Sequence, residues 1–471
     1  MRINTNISAI ISNNSLQKSQ SRLSRSIERL SSGYKLNSSA DDPAGCAISE
    51  KMQMQIRGLE QADNNTADGI SVIRTAEGAL EEVQTMLVRM KELTVQAAND
   101  VNSDGERQAI QDEIDQINKE IDRISADTEF NTQPLLNGNL TRRVYSNKTG
   151  VRQLECSDGF SAGDYGLTIL NNATQANITF GPVNFAPGET ITKDLAGTVE
   201  INGYKVDINE GDDLNTIYTK LMDASDKIGG IGRINGTGID IITNKYGSNQ
   251  SLNVKCTSKE LADKLGISGA ETDKGLVAQG TDLEVDFEAG RVGFADTAVV
   301  STQGTVVTIK DVNNKSFVFD VPGDIVKNGP VKLVQEVTDV GTMSIHIGAN
   351  EYQAIILDIP AVTSYTLGTE GMNVMTSVTA AQAVATVDSA IARANEVRSR
   401  LGAYENRFEH TTNNLAVSTE NLTSAVSAMI DTDMAEEMTE YTSLTVLTQA
   451  ATSILSQANE RPSTVLQLLQ R

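Results

Sequence analysis

Residues 438–471 read MTEYTSLTVLTQAATSILSQANERPSTVLQLLQR, and the fold is decided here. Leu444, Leu447, Ala451, Ile454, Ala458, Val465 and Leu468 recur mostly three and four residues apart, with Arg461-Pro462 interrupting the series. That period belongs to a coiled-coil seam, and a seam needs a partner. Residues 1–30 carry the matching stripe, Ile3, Ile7 and Ile10 followed by Leu16, Leu23, Ile27 and Leu30 among Ser, Asn and Gln. Val446, Ala450, Leu455 and Leu469 widen the C-terminal stripe beyond what one partner helix can cover. The two ends are therefore expected to meet each other and then copies of themselves, ordering as they do so.

Moving inward, residues 31–45 are small and polar, and Asp42 before Pro43 reads as the cap and first position of a long helix. Ile73, Ala76, Leu80, Val83, Leu87, Met90 and Ala97 keep the helical rhythm to about Asn99. Ser103 and Glu106 have capping-box spacing. They open a third helix with Ile110, Ile114, Ile117, Ile121 and Ile124 on one face, expected to stop near Phe130-Asn131. From Met375 the helical period returns, with Leu401, Phe408, Leu415, Leu422 and Met429 seven apart and Tyr404, Thr411, Ser418 and Ala425 at the second seam position. A pause is expected at residues 431–433 and a break at Pro462. A helix over residues 379–430 would be on the order of 75 Å long at ~1.5 Å per residue.

Between about Leu140 and Gly371 the heptads vanish. Short alternating runs appear between Gly, Asn and Asp turns, among them residues 198–206, 239–242, 306–309 and 317–320, with one helix predicted over residues 213–228. The predicted fold is a mainly α-helical coiled-coil rod made by the N- and C-terminal segments, carrying an inserted, mainly β central domain. Its parts are residues 1–42 with 431–471 as terminal coiled coil, 43–140 with 345–430 as a long-helix bundle, and 141–344 as a variable, surface-exposed β-rich domain.

Composition narrows function. A chain of 471 residues with 62 acidic against 39 basic side chains carries a formal charge of −23 and no basic block, which argues against nucleic acid or an anionic membrane as partner. Residues 1–30 lack the apolar core of a signal peptide, and no window is apolar for the length of a membrane helix. Cys46, Cys156 and Cys256 are scattered and outside any CxxC pair, so neither a disulfide framework nor a zinc site is indicated. His346 and His410 belong to no HExxH pair. Gly229-Gly230-Ile231-Gly232 lacks the Lys-Ser/Thr of a phosphate loop. Asp41-Asp42 reads either as a metal-binding pair or, more simply, as a cap. No catalytic residue, metal or cofactor is assigned, and the chain reads as structural rather than enzymatic, an active site in the central block being the competing class.

Residues 1–7 (MRINTNI), 30–42 (LSSGYKLNSSADD), 456–459 (SQAN) and 465–469 (VLQLL) resemble bacterial flagellin. The resemblance covers roughly residues 1–140 and 340–471. It implies a filament subunit for motility whose terminal helices form the filament core, with Ile3, Ile7, Ile10, Leu23, Ile27, Leu30, Leu444, Leu447, Ile454, Val465 and Leu468 as self-assembly residues. A hook-filament junction protein shares the terminal plan and stays open as the alternative. The resemblance also implies type III export, an export chaperone, filament cap and junction proteins as partners, and an extracellular position. It further implies recognition by Toll-like receptor 5 centred on Arg89 and Leu93, with Glu113 as a secondary contact. Arg89 and Glu113 can equally form a salt bridge between subunits.

Overall fold

A computed structural model of the chain describes residues 6–157, 160–181, 190–193, 195–235, 238–270, 275–311, 315–327, 329–338 and 340–469. The chain forms two compact units, one of Met1–Asp68, His346–Ala354 and Phe408–Arg471, the other of Gly69–Ile345 and Ile355–Arg407. Their boundaries fall inside two long helices, whereas the predicted partings at 42/43 and 430/431 coincide with helix ends.

In the first unit, helix α1 (Ile7–Ser32) is capped by Asn6, whose side chain accepts from Ala9 N, and ends on Gly33 in the left-handed region at φ 78°. Helix α2 (Pro43–Ala97) begins in this unit. The Asp41 carboxylate accepts from the backbone N–H groups of Asn37 and Ser38, and Asp42 Oδ1 accepts from Ala44 N. The acidic pair is thus a turn and a cap. A Cβ at Gly45 would lie 2.5 Å from Asp42 Oδ2, so the capping carboxylate requires glycine there. Further along, a Cβ at Gly58 would come within 2.8 Å of Ala349 Cβ, where residues 346–354 rest on the helix, and Asn65 Nδ2 donates to His346 O.

The second unit is built on α2 from Gly69 onward and helix α3 (Asp104–Asp127). The capping box is complete: Ser103 Oγ accepts from Glu106 N, and Glu106 Oε2 accepts from Ser103 N. The helix stops at Asp127, short of the expected Phe130-Asn131, because Glu129–Phe130 and Gln133–Pro134 pair as a tight hairpin through Asn131 and Thr132, both at positive φ. In α2, Ile73, Ala76, Leu80, Val83, Leu87, Met90 and Ala97 are all fully buried, as are Ile114 and Ile121 of α3.

The central block holds two cores where the sequence suggested a single domain. One lies between two four-stranded antiparallel sheets. Their strand orders are Glu284–Asp286, Gly163–Asn171, Val331–Val337, Val144–Ser146 and Val299–Gln303, Val306–Lys310, Ser316–Asp320, Arg152–Cys156. Phe160, Tyr165, Phe294, Phe317 and Phe319 interlock there with ring centroids 5.1–6.3 Å apart. The other core is nested within the chain of the first, between Thr174 and Thr281, whose backbones meet in an isolated bridge. It contains helices α4 (Leu214–Lys227, N-capped by Asp213) and α5 (Lys259–Lys264), and a hairpin turning on Asn202 and Gly203 at φ 46° and 86°. The nested core is chiefly aliphatic, with Phe180 its one fully buried ring, while the enclosing core is the aromatic one. Cys156 sits in one core and Cys256 in the other, while Cys46 is half-buried.

After helices α6 (Phe287–Gly290) and α7 (Ser364–Leu367) the chain enters α8 (Ser377–Ile430) and α9 (Met434–Leu469). Asp122 of α3 accepts from Ser364 N and Oγ, and Asn118 and Thr369 bond in a buried contact, fixing the approach to α8. Ala380, Ala383, Val387, Ala390, Ala394, Leu401 and Tyr404 are buried along α8. At 54 residues, α8 is about 80 Å long. Its seam loosens beyond Phe408 and Leu415, since Leu422 and Met429 are only half-buried and Ala425 is exposed. The pause at 431–433 is present. The break at Pro462 is not, for α9 continues to Leu469. Proline's fixed φ is helical, and its missing N–H deletes a single rung.

Candidate assembly surface

The packing of α1 against α9 joins the two ends of the described chain. Each helix contributes a strict heptad: Ala9, Ser12, Leu16, Ser19, Leu23, Ser26 and Leu30 from α1, Glu437, Tyr441, Leu444, Thr448, Ala451, Leu455 and Ala458 from α9, all buried or half-buried. Polar contacts fasten the register. Asn6 Nδ2 donates to Ala458 O at 2.8 Å, Arg22 meets Glu440 at 2.9 Å, and Arg29 lies 3.6 Å from the buried Glu437. At the closed end Lys35 N donates to Ile430 O and Thr432 N to Gly33 O.

This inner seam alternates leucines (Leu16, Leu23, Leu30, Leu444 and Leu455) with Ser, Ala and Thr, and a second set of long apolar side chains lies outside it. Ile7 is 64% exposed, Leu447 51% and Ile454 55%, and Ile10, Ile11, Ile27, Met434, Met438 and Val446 are similarly exposed. The single C-terminal stripe read from sequence is therefore two faces. Leu444, 2% exposed, is consumed within the chain, and a neighbouring copy cannot reach it. Leu23 and Leu30 are half-buried on the inner face. Ile3 lies outside the described residues, as do the side chains of Val465 and Leu468.

In the second unit, Arg89 Nη2 lies 2.8 Å from Glu113 of α3 and its Nη1 lies 3.2 Å from Glu92, with all three side chains substantially exposed. The two carboxylates raise the guanidinium pKa further, Glu113 most. Leu93 is 2% exposed and packs beneath this surface, so it shapes the patch from below. The exposed apolar atoms beside Arg89 belong to Val88 and Val95, which sequence reasoning passed over. Their signal was position: they fall outside the Leu80-Val83-Leu87-Met90 row.

A subunit whose paired terminal helices fill one seam and still leave a second row of long apolar side chains in water covers that row with other chains. It is a self-assembling helical protein. The description "bacterial flagellin N-terminal helical region" matches residues 3–141, and "bacterial flagellin C-terminal helical region" matches residues 384–469. Flagellin of Salmonella rubislaw is 32% identical over 501 residues, covering 99% of each chain. Flagellin of Clostridium tyrobutyricum is 33% identical over 466 residues, covering 98% of this chain and all of that one. Superposition on solved structures is loose, with TM-score 0.24 and 16% identity to FliC from Burkholderia pseudomallei over 72% of this chain and 99% of that one, so the assignment rests on sequence. The chain belongs to the bacterial flagellin family, the structural subunits of the flagellar filament. Among the described residues, no helix is long and apolar enough to cross a membrane.

Proposed function

We propose that copies of this chain polymerise head to tail through the outward rows of α1 and α9, with Ile7, Ile10, Ile27, Leu447 and Ile454 as the principal contacts. Ile3 and Leu468 extend the same rows in sequence, while Val465 continues the inner row of Ala451 and Ala458. The observation that carries this reading is the second apolar row on the α1–α9 pair, which stays exposed after the inner seam is filled. Such contacts are heterologous, joining one patch to a different patch on the next copy, and they generate an open helix. Residues 1–42 with 431–471 would then line the filament core, 43–140 with 345–430 surround it, and 141–344 face outward. Delivery through the type III export apparatus with an export chaperone, growth under a cap protein and attachment through junction proteins belong to the same reading. Replacing Leu447 and Ile454 together by alanine tests it. Filaments seen by electron microscopy at wild-type protein concentration would defeat it.

The Arg89, Glu92 and Glu113 surface, with Val88 and Val95 beside it, is the patch proposed to meet Toll-like receptor 5. It combines exposed charge with exposed apolar area on rigid helices. Arg89→Ala should reduce activation of receptor-reporter cells while leaving the monomer's fold intact. An unchanged response would remove this surface from consideration.

A further inference from the structure

In the aromatic β core, two sheets end on strands that are neighbours in sequence but do not pair, Glu284–Asp286 and Val299–Gln303. Between them opens a groove of about 700 Å³ lined by Leu283, Val285, Phe287, Ala298 and Val300 among others. An edge strand offers unpaired N–H and C=O groups, and proteins usually blunt it with charge, proline or a bulge. Glu284–Asp286 is blunted in this way: its pairing shifts register between Glu284 and Val285, and carboxylates stand at both ends. Val299–Gln303 has none of these devices. Its register against Val306–Lys310 is unbroken over all five residues, and the sequence VVSTQ contains neither charge nor proline. Nor is the edge hidden, because Val299 is exposed.

The surroundings are acidic. Residues 282–303 carry Asp282, Glu284, Asp286, Glu288 and Asp296 against a single cation, Arg291. Arg291 is already engaged, 2.6 Å from Asp296 and stacked over Phe287. Glu284 lines the groove, and Glu288, on α6, and Asp296 are 86% and 92% exposed on the segment joining the two strands. An unblunted edge, an apolar floor and a carboxylate rim together select one chemistry. We propose that the groove beside Val299–Gln303 docks an extended cationic peptide segment, which adds to that edge as a further strand. Alternate apolar side chains of the peptide would enter the groove, and its lysine or arginine side chains would meet the rim. A second copy of this chain, at −23, has the wrong charge for such a site.

The test uses the full-length chain and fluorescent nine-residue peptides of alternating Lys-Val and alternating Glu-Val, followed by anisotropy at low and moderate salt. The Lys-Val peptide should bind and weaken as salt rises, and the Glu-Val peptide should not bind. Backbone N-methylation at alternate residues should abolish binding, since it removes strand donors without changing charge. The exposed double variant Glu288→Lys, Asp296→Lys should weaken binding by about tenfold or more. Thr302→Pro, which removes an N–H on the open side of the strand, should abolish it, with circular dichroism confirming the fold. Equal binding of the N-methylated peptide, or indifference to the rim variant, would overturn the proposal.

Discussion

The clearest consequence of the two apolar faces of the α1–α9 pair is that folding and assembly can be weakened separately. Leu447→Ala and Ile454→Ala each remove three carbons, worth about 0.8 kcal/mol per methylene if fully transferred from water. Because roughly half of each side chain is wet in the lone chain, only that half is transferred on assembly. The estimate is about 1.2 kcal/mol per residue, or about 2.4 kcal/mol for both. At 1.4 kcal/mol per factor of ten, the critical concentration for polymerisation should rise roughly 50-fold. Alanine is a better helix former than leucine or isoleucine, so the monomer's melting temperature should not fall. Leu444→Ala is the opposite case: it opens a cavity inside the pair, costs about 2–5 kcal/mol and melts α1 from α9 in the monomer. Seeded polymerisation with sedimentation of the polymer measures the first quantity and circular dichroism of the dilute chain the second. If the exposed pair of substitutions melted the monomer and left the critical concentration unchanged, the assignment of faces would be reversed.

Three further outcomes are expected. Leu87→Ala, in the fully buried row of α2, should lower stability by about 2–5 kcal/mol in a denaturant titration, whereas Val88→Ala one position on should change it little. Gly58→Leu should dislodge residues 346–354 from α2, read as increased proteolysis of that segment with the rest of the chain intact. Glu106 supplies a pH dependence. Hydrogen bonds from Ser103, the backbone N–H first and then the hydroxyl, hold its carboxyl below the usual 4.5. A depressed folded-state pKa means that its stabilisation is complete above the unfolded value and is lost as pH falls through the lower, folded one. Amide exchange at the start of α3 should therefore accelerate as pH drops below about 4.5 relative to the helix centre, and Ser103→Ala should remove most of that difference.

Periodicity made the helices legible, because a stripe such as Ile110-Ile114-Ile117-Ile121 has only one regular conformation that aligns it. The capping box at Ser103 and Glu106 was readable for the same reason: it is local chemistry at fixed spacing. The face of a stripe is a tertiary property, and there the reading failed in part. Leu444 and Leu447 are three apart and fit one seam on paper, yet the partner helix selects Leu444 and Thr448 and turns Leu447 outward. A hydrophobic count treats every long side chain alike, and the pair takes Leu444 and Leu455 inside while leaving Leu447 and Ile454 outside. Leu93 came from the resemblance as a surface contact, and its 2% exposure is likewise a tertiary outcome that a local motif does not announce. The double core of the central block required knowing that Thr174 meets Thr281, a pairing across more than a hundred residues that no local signal announces.

The stitch between Gly33–Lys35 and Ile430–Thr432 has an implication for durability. Two connectors almost four hundred positions apart hold one another closed, so neither is an independent weak point. A protease that cuts the connector at residues 431–433 strips Gly33 and Lys35 of their partners and opens the first connector to attack. Damage at one extremity should therefore spread to the other, and a subunit would lose its capacity to join the polymer in a single step rather than by degrees.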